Sequence, residues 1–258
     1  MYTGSITVAD QPLLRFVLQR ADDALILGHR LSEWNGKAPL MEEEMALSNM
    51  ALDLIGQARA LYTYAGAVER VGRDEDAYAY LRDERAYMNV LLVEQPNSDF
   101  AVTIVRQMLY AAFIEPYWQR LMGSTDATLA AIAAKAQKEA AYHLRHSAEW
   151  VIRLGDGTDE SHRRAQDALD LLWPFTGELF EVSDAERALL ASGVAVDPAP
   201  LRAIWRETVS RVVAEATLAL PADGWMQRGG REGRHSEYLG HLLTDLQYLQ
   251  RTHPGATW

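Results

Sequence analysis

The chain is dominated by long segments in which apolar residues recur every three or four positions, the spacing that places them on one face of an α-helix. In the first segment this apolar stripe runs from Leu14 to Leu31. The alternating pattern of a half-buried strand is nearly absent, and its one candidate, 192–196, is too short to build a sheet. The pattern therefore predicts an all-α fold. Long core helices are expected at about 11–34, 42–71, 99–122 and 126–154.

Shorter helical segments are predicted between and after these four. No internal repeat or low-complexity linker divides the chain, so we expect a single domain covering residues 1–258. Its architecture would be a four-helix bundle with additional peripheral helices, including a C-terminal helical extension from about 161 to 258. The shorter segments are expected at about 74–92, 161–180, 184–191, 198–220 and 236–251.

Composition excludes several classes of function. The chain has 258 residues, of which 48% are hydrophobic and 24% charged, as is typical of a soluble globular protein. It has no cysteine, which excludes disulfides, thiol nucleophiles and iron–sulfur ligation. The net charge of −11 argues against a nucleic-acid partner, because phosphate binding needs clustered cations. Neither a signal peptide nor a long apolar run is present, so we expect no membrane association and a cytoplasmic location.

A sequence on the fourth core helix looks like half of a di-iron site. Di-iron carboxylate proteins carry a Glu-x-x-His pair on each of two helices, because residues three apart share a helix face. Here Ala140, which cannot bind a metal, stands three positions before His143. Glu139 is one residue out of register, a rotation of about 100° around the helix. A single inward-facing histidine is more often a hydrogen-bonded core residue than a ligand, and this is the favoured interpretation.

The second helix carries a carboxylate, Asp53, inside an apolar run. An unpaired buried carboxylate costs several kcal/mol, so Asp53 needs a partner or a role. A metal site would require an imidazole three positions later, where Gly56 stands. We therefore expect Asp53 to be a buried structural residue held by His143, Arg106 or Gln57.

Two further groups of polar residues are candidates for a site. Asp22 and Asp23 lie on the first helix where a bridging carboxylate would sit, although adjacent carboxylates beside an apolar stripe are more often solvated. The loop with Arg228, Arg231 and Arg234 is the most basic stretch and could meet an anionic coenzyme tail. A turn or a contact between subunits is the favoured interpretation of this loop. Taken together, the side chains that could bind a metal fall short of the four carboxylates and two imidazoles of a di-iron centre. We therefore expect neither a bound metal nor a catalytic residue.

Several longer stretches together resemble the C-subunit family of the bacterial phenylacetyl-CoA epoxidase. Each stretch alone would be weak, but together they are specific and extend over essentially the whole chain. They are 52–59, 82–85, 91–97, Lys138-Glu139, 142–145, Trp173, Phe175-Thr176, 178–180, 196–198, Gly229-Gly230, 247–251 and Trp258.

This resemblance implies a ferritin-like, non-catalytic partner of a homologous di-iron subunit. That catalytic subunit uses oxygen and electrons from a reductase to epoxidise the ring of phenylacetyl-CoA in phenylacetate catabolism, in a system with a further small subunit. Its two Glu-x-x-His pairs correspond to 53–56 and 140–143 here, so iron is expected in the partner and no cofactor in this chain. The relict positions are Asp53, Gly56, Ala140 and His143, with Asp22 and Glu139 as further candidates.

Two other functions remain open from the sequence. One is a self-standing ferritin-like metalloenzyme with unorthodox ligands, which measured iron near two per chain would support. The other is a helical protein that binds a coenzyme A ester, which tight binding by the isolated chain would support. The sequence leaves open the stoichiometry of any assembly and the surfaces that meet a partner.

Overall fold

The structure, a computed structural model, describes residues 4–256 and is built from helices and their connections. No strand occurs within these residues, which confirms the predicted all-α fold. Trp258, one of the residues that carry the family resemblance, lies outside the described part. The α-helices are α1 (Pro12–Ser32), α2 (Met41–Glu69), α3 (Glu75–Tyr80), α4 (Leu91–Glu94), α5 (Phe100–Leu121), α6 (Ala127–Gly155), α7 (Asp159–Leu172), α8 (Asp184–Leu190), α9 (Leu201–Glu215) and α10 (Glu237–Thr252).

Four long helices form the bundle. α1 packs along α2, α5 packs along α6, and the two pairs also meet where α2 passes α6. α1 and α5 are the inner helices, since nearly every side chain in 16–28 and 101–114 is buried. α2 and α6 are outer helices, each with one face toward the core and one toward solvent. The shorter helices cover the remaining surface: α7 and α9 pack on α5, α4 and α8 on α1, and α10 on α3.

Local sequence signals fix where the helices begin. The Asp99 side chain accepts a hydrogen bond from the Val102 N–H at 2.9 Å and caps α5. Asp126 caps α6 in the same way. Capping boxes centred on Thr158 and Ser183 begin α7 and α8. Within residues 4–256, no helix is both long enough and apolar enough to cross a membrane.

The helix predicted at 74–92 is wrong. Only α3 and the single turn of α4 are α-helical there. Residues 87–91, called here the buried connector, are extended up to Val90, enter α4 at Leu91 and are almost fully buried. The backbone N–H groups of Met88, Val90 and Leu91 donate to carboxylates that come from other elements. Tertiary contacts thus replace the bonds of a helix, which a local periodicity cannot reveal.

Candidate functional site: the relict metal positions

The four relict positions lie where α2 passes α6. His143 Nε2 is 3.1 Å from Asp53 Oδ2, and the two side chains are 2% and 35% exposed. His143 is therefore the partner of Asp53, one of the three candidates that the sequence offered. The expectation that Asp53 is buried is wrong, because the flank of α2 that carries it faces the rim of the bundle rather than its centre. Of the other expected partners, Gln57 donates to Glu139 instead, at 2.8 Å.

Further polar pairs line the same contact between α2 and α6. His146 Nε2 lies 2.9 Å from Glu43 Oε2, and both side chains are nearly buried. The Tyr64 hydroxyl donates to Asp126 at the start of α6. We call this row of α2–α6 pairs the polar seam; it comprises Glu43–His146, Asp53–His143, Gln57–Glu139 and Tyr64–Asp126. The seam joins the two outer helices by hydrogen bonds.

The residues at the relict positions do not fit a di-iron centre. Ala140 is 1% exposed and faces the core at the place of a bridging carboxylate, and Gly56 offers no imidazole. A Cβ added to Gly56 would meet no heavy atom within 4 Å, so the missing side chain has not been replaced by a neighbour. Across residues 4–256, no three His, Asp or Glu side chains come close enough together to hold a metal ion. The imidazole and the carboxylate that remain at the relict positions, His143 and Asp53, bond to each other.

Asp22 does not belong to this site. It is fully buried, which corrects the expectation that Asp22 and Asp23 are solvated. Its carboxylate accepts hydrogen bonds from the Tyr62 hydroxyl at 2.6 Å, from both terminal nitrogens of Arg82 and from the Met88 N–H at 2.8 Å. Burial and the adjacent carboxylate raise the pKa of Tyr62 well above its usual value, so that hydroxyl remains a donor. Both oxygens of Asp22 are occupied by structural contacts.

Asp23 is also committed to the interior. One of its oxygens accepts the Val90 N–H at 2.9 Å. Arg231 donates to both of its oxygens, at 2.9 and 2.8 Å, and also to the Met88 carbonyl at 2.8 Å. Arg231 is thus turned inward, which removes it from the candidates for an exposed contact with an anionic ligand. Arg228 and Arg234 remain exposed, beside Glu181 and Glu232 respectively.

His235, a histidine that the sequence did not single out, forms a fully buried pair with Glu94. His235 Nδ1 lies 2.8 Å from Glu94 Oε2, and both side chains are fully buried. The other ring nitrogen lies 2.9 Å from the Tyr87 carbonyl oxygen, an acceptor, so that nitrogen carries a proton. Burial lowers the pKa of His235, but the hydrogen bond and charge of Glu94 outweigh this effect and raise it overall. The pair therefore favours an imidazolium–carboxylate contact.

Glu178 completes this group of buried carboxylates. One oxygen accepts the Leu91 N–H at 2.8 Å, and the other accepts the Gly229 N–H at 2.9 Å. Burial raises the pKa of Glu178, although these N–H bonds and nearby Arg231 oppose the shift. Asp22, Asp23, Glu94 and Glu178 together hold the buried connector and residues 229–236 against it. We call these four residues the carboxylate cluster.

Arg106 takes a different position from the one expected. It is fully buried but lies away from Asp53, donating to the Gln95 carbonyl and to Asn97 Oδ1. Its guanidinium secures the turn before α5 and neutralises no relict carboxylate. Sequence reasoning also missed Glu94 and Glu178. Apart from their place in the stretches 91–97 and 178–180, which carry the family resemblance, their signal is a carboxylate next to an apolar pair, as in Leu92-Val93-Glu94.

Comparison with known proteins identifies the family. A family model described as phenylacetic acid catabolic protein matches residues 3–258. The chain belongs to this family. It is also 48% identical over 246 residues to the C-subunit of the 1,2-phenylacetyl-CoA epoxidase from Escherichia coli (strain K12), covering 95% of this chain and 99% of that protein. The predicted resemblance is thereby confirmed, as is the ferritin-like helical fold, and the chain is a protein of phenylacetate catabolism.

Proposed function

We propose that this chain is a non-catalytic structural subunit of a phenylacetyl-CoA epoxidase. It pairs with a homologous di-iron subunit that epoxidises the aromatic ring of phenylacetyl-CoA, and it stabilises that subunit. Iron belongs to the partner, electrons come from a reductase, and the cytoplasmic system includes a further small subunit. The 48% identity to an epoxidase C-subunit over nearly the full length supports this assignment.

One observation carries the non-catalytic part of the proposal. At the two relict pairs, Gly56 and Ala140 supply no donor, and Asp53 and His143 bond to each other. A di-iron centre requires bridging carboxylates between its helices. The polar seam instead stabilises the α2–α6 contact, and the bundle contributes its surfaces to the complex.

The decisive experiment is a reconstitution assay of ring epoxidation. The homologous di-iron subunit, the small subunit and the reductase are assayed with this chain, without it, and with its double variant Asp53→Asn, His143→Gln. We expect epoxidation and the solubility of the di-iron subunit to fall on omission of the chain. The double variant should support close to full activity, because its side chains perform no chemistry.

Two outcomes would contradict the proposal. Full activity and an equally soluble di-iron subunit without this chain would remove the structural role. Loss of turnover in a double variant that still folds and still binds the di-iron subunit would give the relict pair a chemical role. Analysis of iron in each separated chain distinguishes the self-standing metalloenzyme, and a coenzyme A ester titration of the isolated chain tests the binding alternative.

A further inference from the structure

The solvent face of α2 is unusually poor in charge for this protein. Between positions 45 and 67, its exposed residues include a single charged side chain, Arg59. Met45 is 61% exposed and Leu52 is 66% exposed, and at the start of α2 Met41 at 77% stands beside the exposed Glu42. The exposed residues from 45 to 67 are Met45, Asn49, Leu52, Arg59, Ala60, Thr63 and Ala67.

The neighbouring outer helix provides an internal comparison. The exposed residues of α6 between 131 and 153 comprise four cations, one carboxylate, one alanine and Tyr142. This composition is that of a charged surface helix, and its cations contrast with a chain of net charge −11. The four cations are Lys135, Lys138, Arg145 and Arg153, and the carboxylate is Glu149.

Charge depletion and exposed methionine and leucine are the composition of an interface centre, not of a free surface. The small residues Ala60, Thr63 and Ala67 let another helix approach the C-terminal half of α2 closely. The cations of α6 supply a positive border on one side of that apolar strip. The surface of a partner that fits this face is therefore helical, apolar along its centre and rich in carboxylates along the edge that meets α6.

The size of this face agrees with a stable complex. α2 and α6 each contain 29 residues and are therefore about 43 Å long. Side by side they present a face roughly 20 Å wide, so about 800 Å² per partner can be covered. That is the area of a standard stable interface, whereas α2 alone would provide only about half of it.

We propose that the outer face of α2 and α6 is the docking surface for the di-iron subunit. This inference rests on the proposed function, because it names the surface through which the structural subunit acts. A second copy of the chain fits less well, since two such faces would bring α6 cations together, and within α6 only Lys135 and Arg153 have carboxylate partners, Glu139 and Glu149. The polar seam joins the two helices along this face by hydrogen bonds.

The test is the affinity of the di-iron subunit for surface variants of this chain. Leu52→Lys and Met45→Lys place a charge in the centre of the proposed interface and should each weaken binding at least about tenfold, as for a buried anchor. Leu171→Lys on α7 and Leu249→Lys on α10 are matched controls, since those leucines are 56% and 50% exposed. The controls should bind like the unmodified chain, and all four should keep its melting temperature.

A second arm tests the charge argument. The double variant Lys135→Glu, Lys138→Glu should associate more slowly at low salt and lose most of the salt dependence of the association rate. An unchanged or faster association rate would overturn the predicted carboxylate border.

The failures of this inference and of the proposed function are distinguishable. If Leu52→Lys and Met45→Lys bind normally while a control variant fails, docking occurs elsewhere and the structural function stands. If the unmodified chain does not bind the di-iron subunit at all, the proposed function itself fails. If the chain alone is a dimer in sedimentation and Leu52→Lys makes it a monomer, the face belongs to a second copy and the inference is overturned.

Discussion

The four members of the carboxylate cluster are fully buried or nearly so, and each accepts a backbone N–H as well as other donors. A buried carboxylate is tolerated only when such donors replace its lost water. Each residue therefore depends on the path of the backbone around it, and that path depends on the residue. This mutual dependence makes these positions more sensitive to substitution than the relict pair.

The first prediction contrasts the two environments. Asp22→Asn keeps the shape of the side chain but removes the charge that Arg82 requires, and should lower the free energy of unfolding by about 3–5 kcal/mol. Asp53→Asn, at a side chain that is one-third exposed, should lower it by about 1 kcal/mol or less. Urea unfolding with a common m-value measures both. Equal losses of unfolding free energy in the two variants would mean that the difference in burial does not set the cost of substitution.

The second prediction concerns pH. Because the pKa of His235 is raised in the folded protein, its contribution to stability is full below its unfolded value of about 6.5 and is lost as the pH rises through the folded value. The difference in unfolding free energy between the unmodified chain and His235→Gln should therefore be largest near pH ~5.5 and shrink toward pH ~8.5. Burial lowers the pKa of His29, so the contribution of His29 to stability changes with pH in the opposite direction. This contribution is the same in the unmodified chain and in His235→Gln, and it cancels in the difference.

The matched control for this measurement is His241→Gln, since His241 is an exposed residue on α10. It controls for the replacement of a histidine by glutamine at the surface, outside the buried pair. A difference for His235→Gln that grows with pH would reverse the assigned sign and exclude the imidazolium–carboxylate contact.

At the scale of elements, the long helices were accessible to sequence reasoning and the buried connector was not. α1 and α6 carry apolar stripes, α5 is apolar on nearly every side, and the capping residues Asp99 and Asp126 mark where α5 and α6 begin. Residues 87–91 are held by Asp22, Asp23 and Glu178, which lie far away in sequence. A pattern read along a window cannot include those partners, so periodicity alone predicts a helix for this segment.

The third prediction tests how closely the chain packs at residues 229–236. Gly233 has φ of +75°, and a Cβ there would lie 2.2 Å from the Arg85 carbonyl oxygen. Gly36 has φ of +76°, and a Cβ there would meet no heavy atom within 4 Å. Gly36→Ala should cost only the backbone strain of about 1–2 kcal/mol. Gly233→Ala should cost at least about 1–3 kcal/mol more because of the collision.

Thermal or urea unfolding of both glycine variants gives this comparison directly. The shared backbone conformation makes Gly36→Ala the control for strain, so the difference isolates the collision. Similar losses in the two variants would mean that residues 229–236 can move away from Arg85 without consequence.

At the scale of the whole molecule, the bundle keeps a di-iron protein's shape while two of the positions that would hold metal have no donor. The fourth prediction follows from Gly56 and Ala140. The isolated chain, loaded anaerobically with ferrous iron and desalted, should retain far less than one iron per chain. The homologous di-iron subunit treated identically is the positive control. Stoichiometric iron in this chain, measured by elemental analysis, would contradict the prediction.

Much of the architecture, and half of the relict site, could be predicted from the sequence. Helix spacing offered His143, Arg106 and Gln57 as partners of Asp53, and the structure selects His143. The burial of Asp22 and Asp23 did not follow, since their donors come from residues 82–90 and 231. Several stretches that carry the family resemblance lie at the carboxylate cluster, including 91–97, 178–180 and Gly229-Gly230. The resemblance in these stretches therefore reflects a structural feature.

The buried connector should also have an unusual signature in hydrogen–deuterium exchange. The amides of Met88, Val90 and Leu91 lie outside the interior of any helix, where exchange is ordinarily fast. These amides are bonded to carboxylates on α1 and on the turn Gly177–Phe180, and opening them requires those elements to separate. They should therefore exchange as slowly as the amides of α5, while the exposed turn at 83–85 exchanges quickly. Slow exchange in this segment would mark the unit of the protein that opens last.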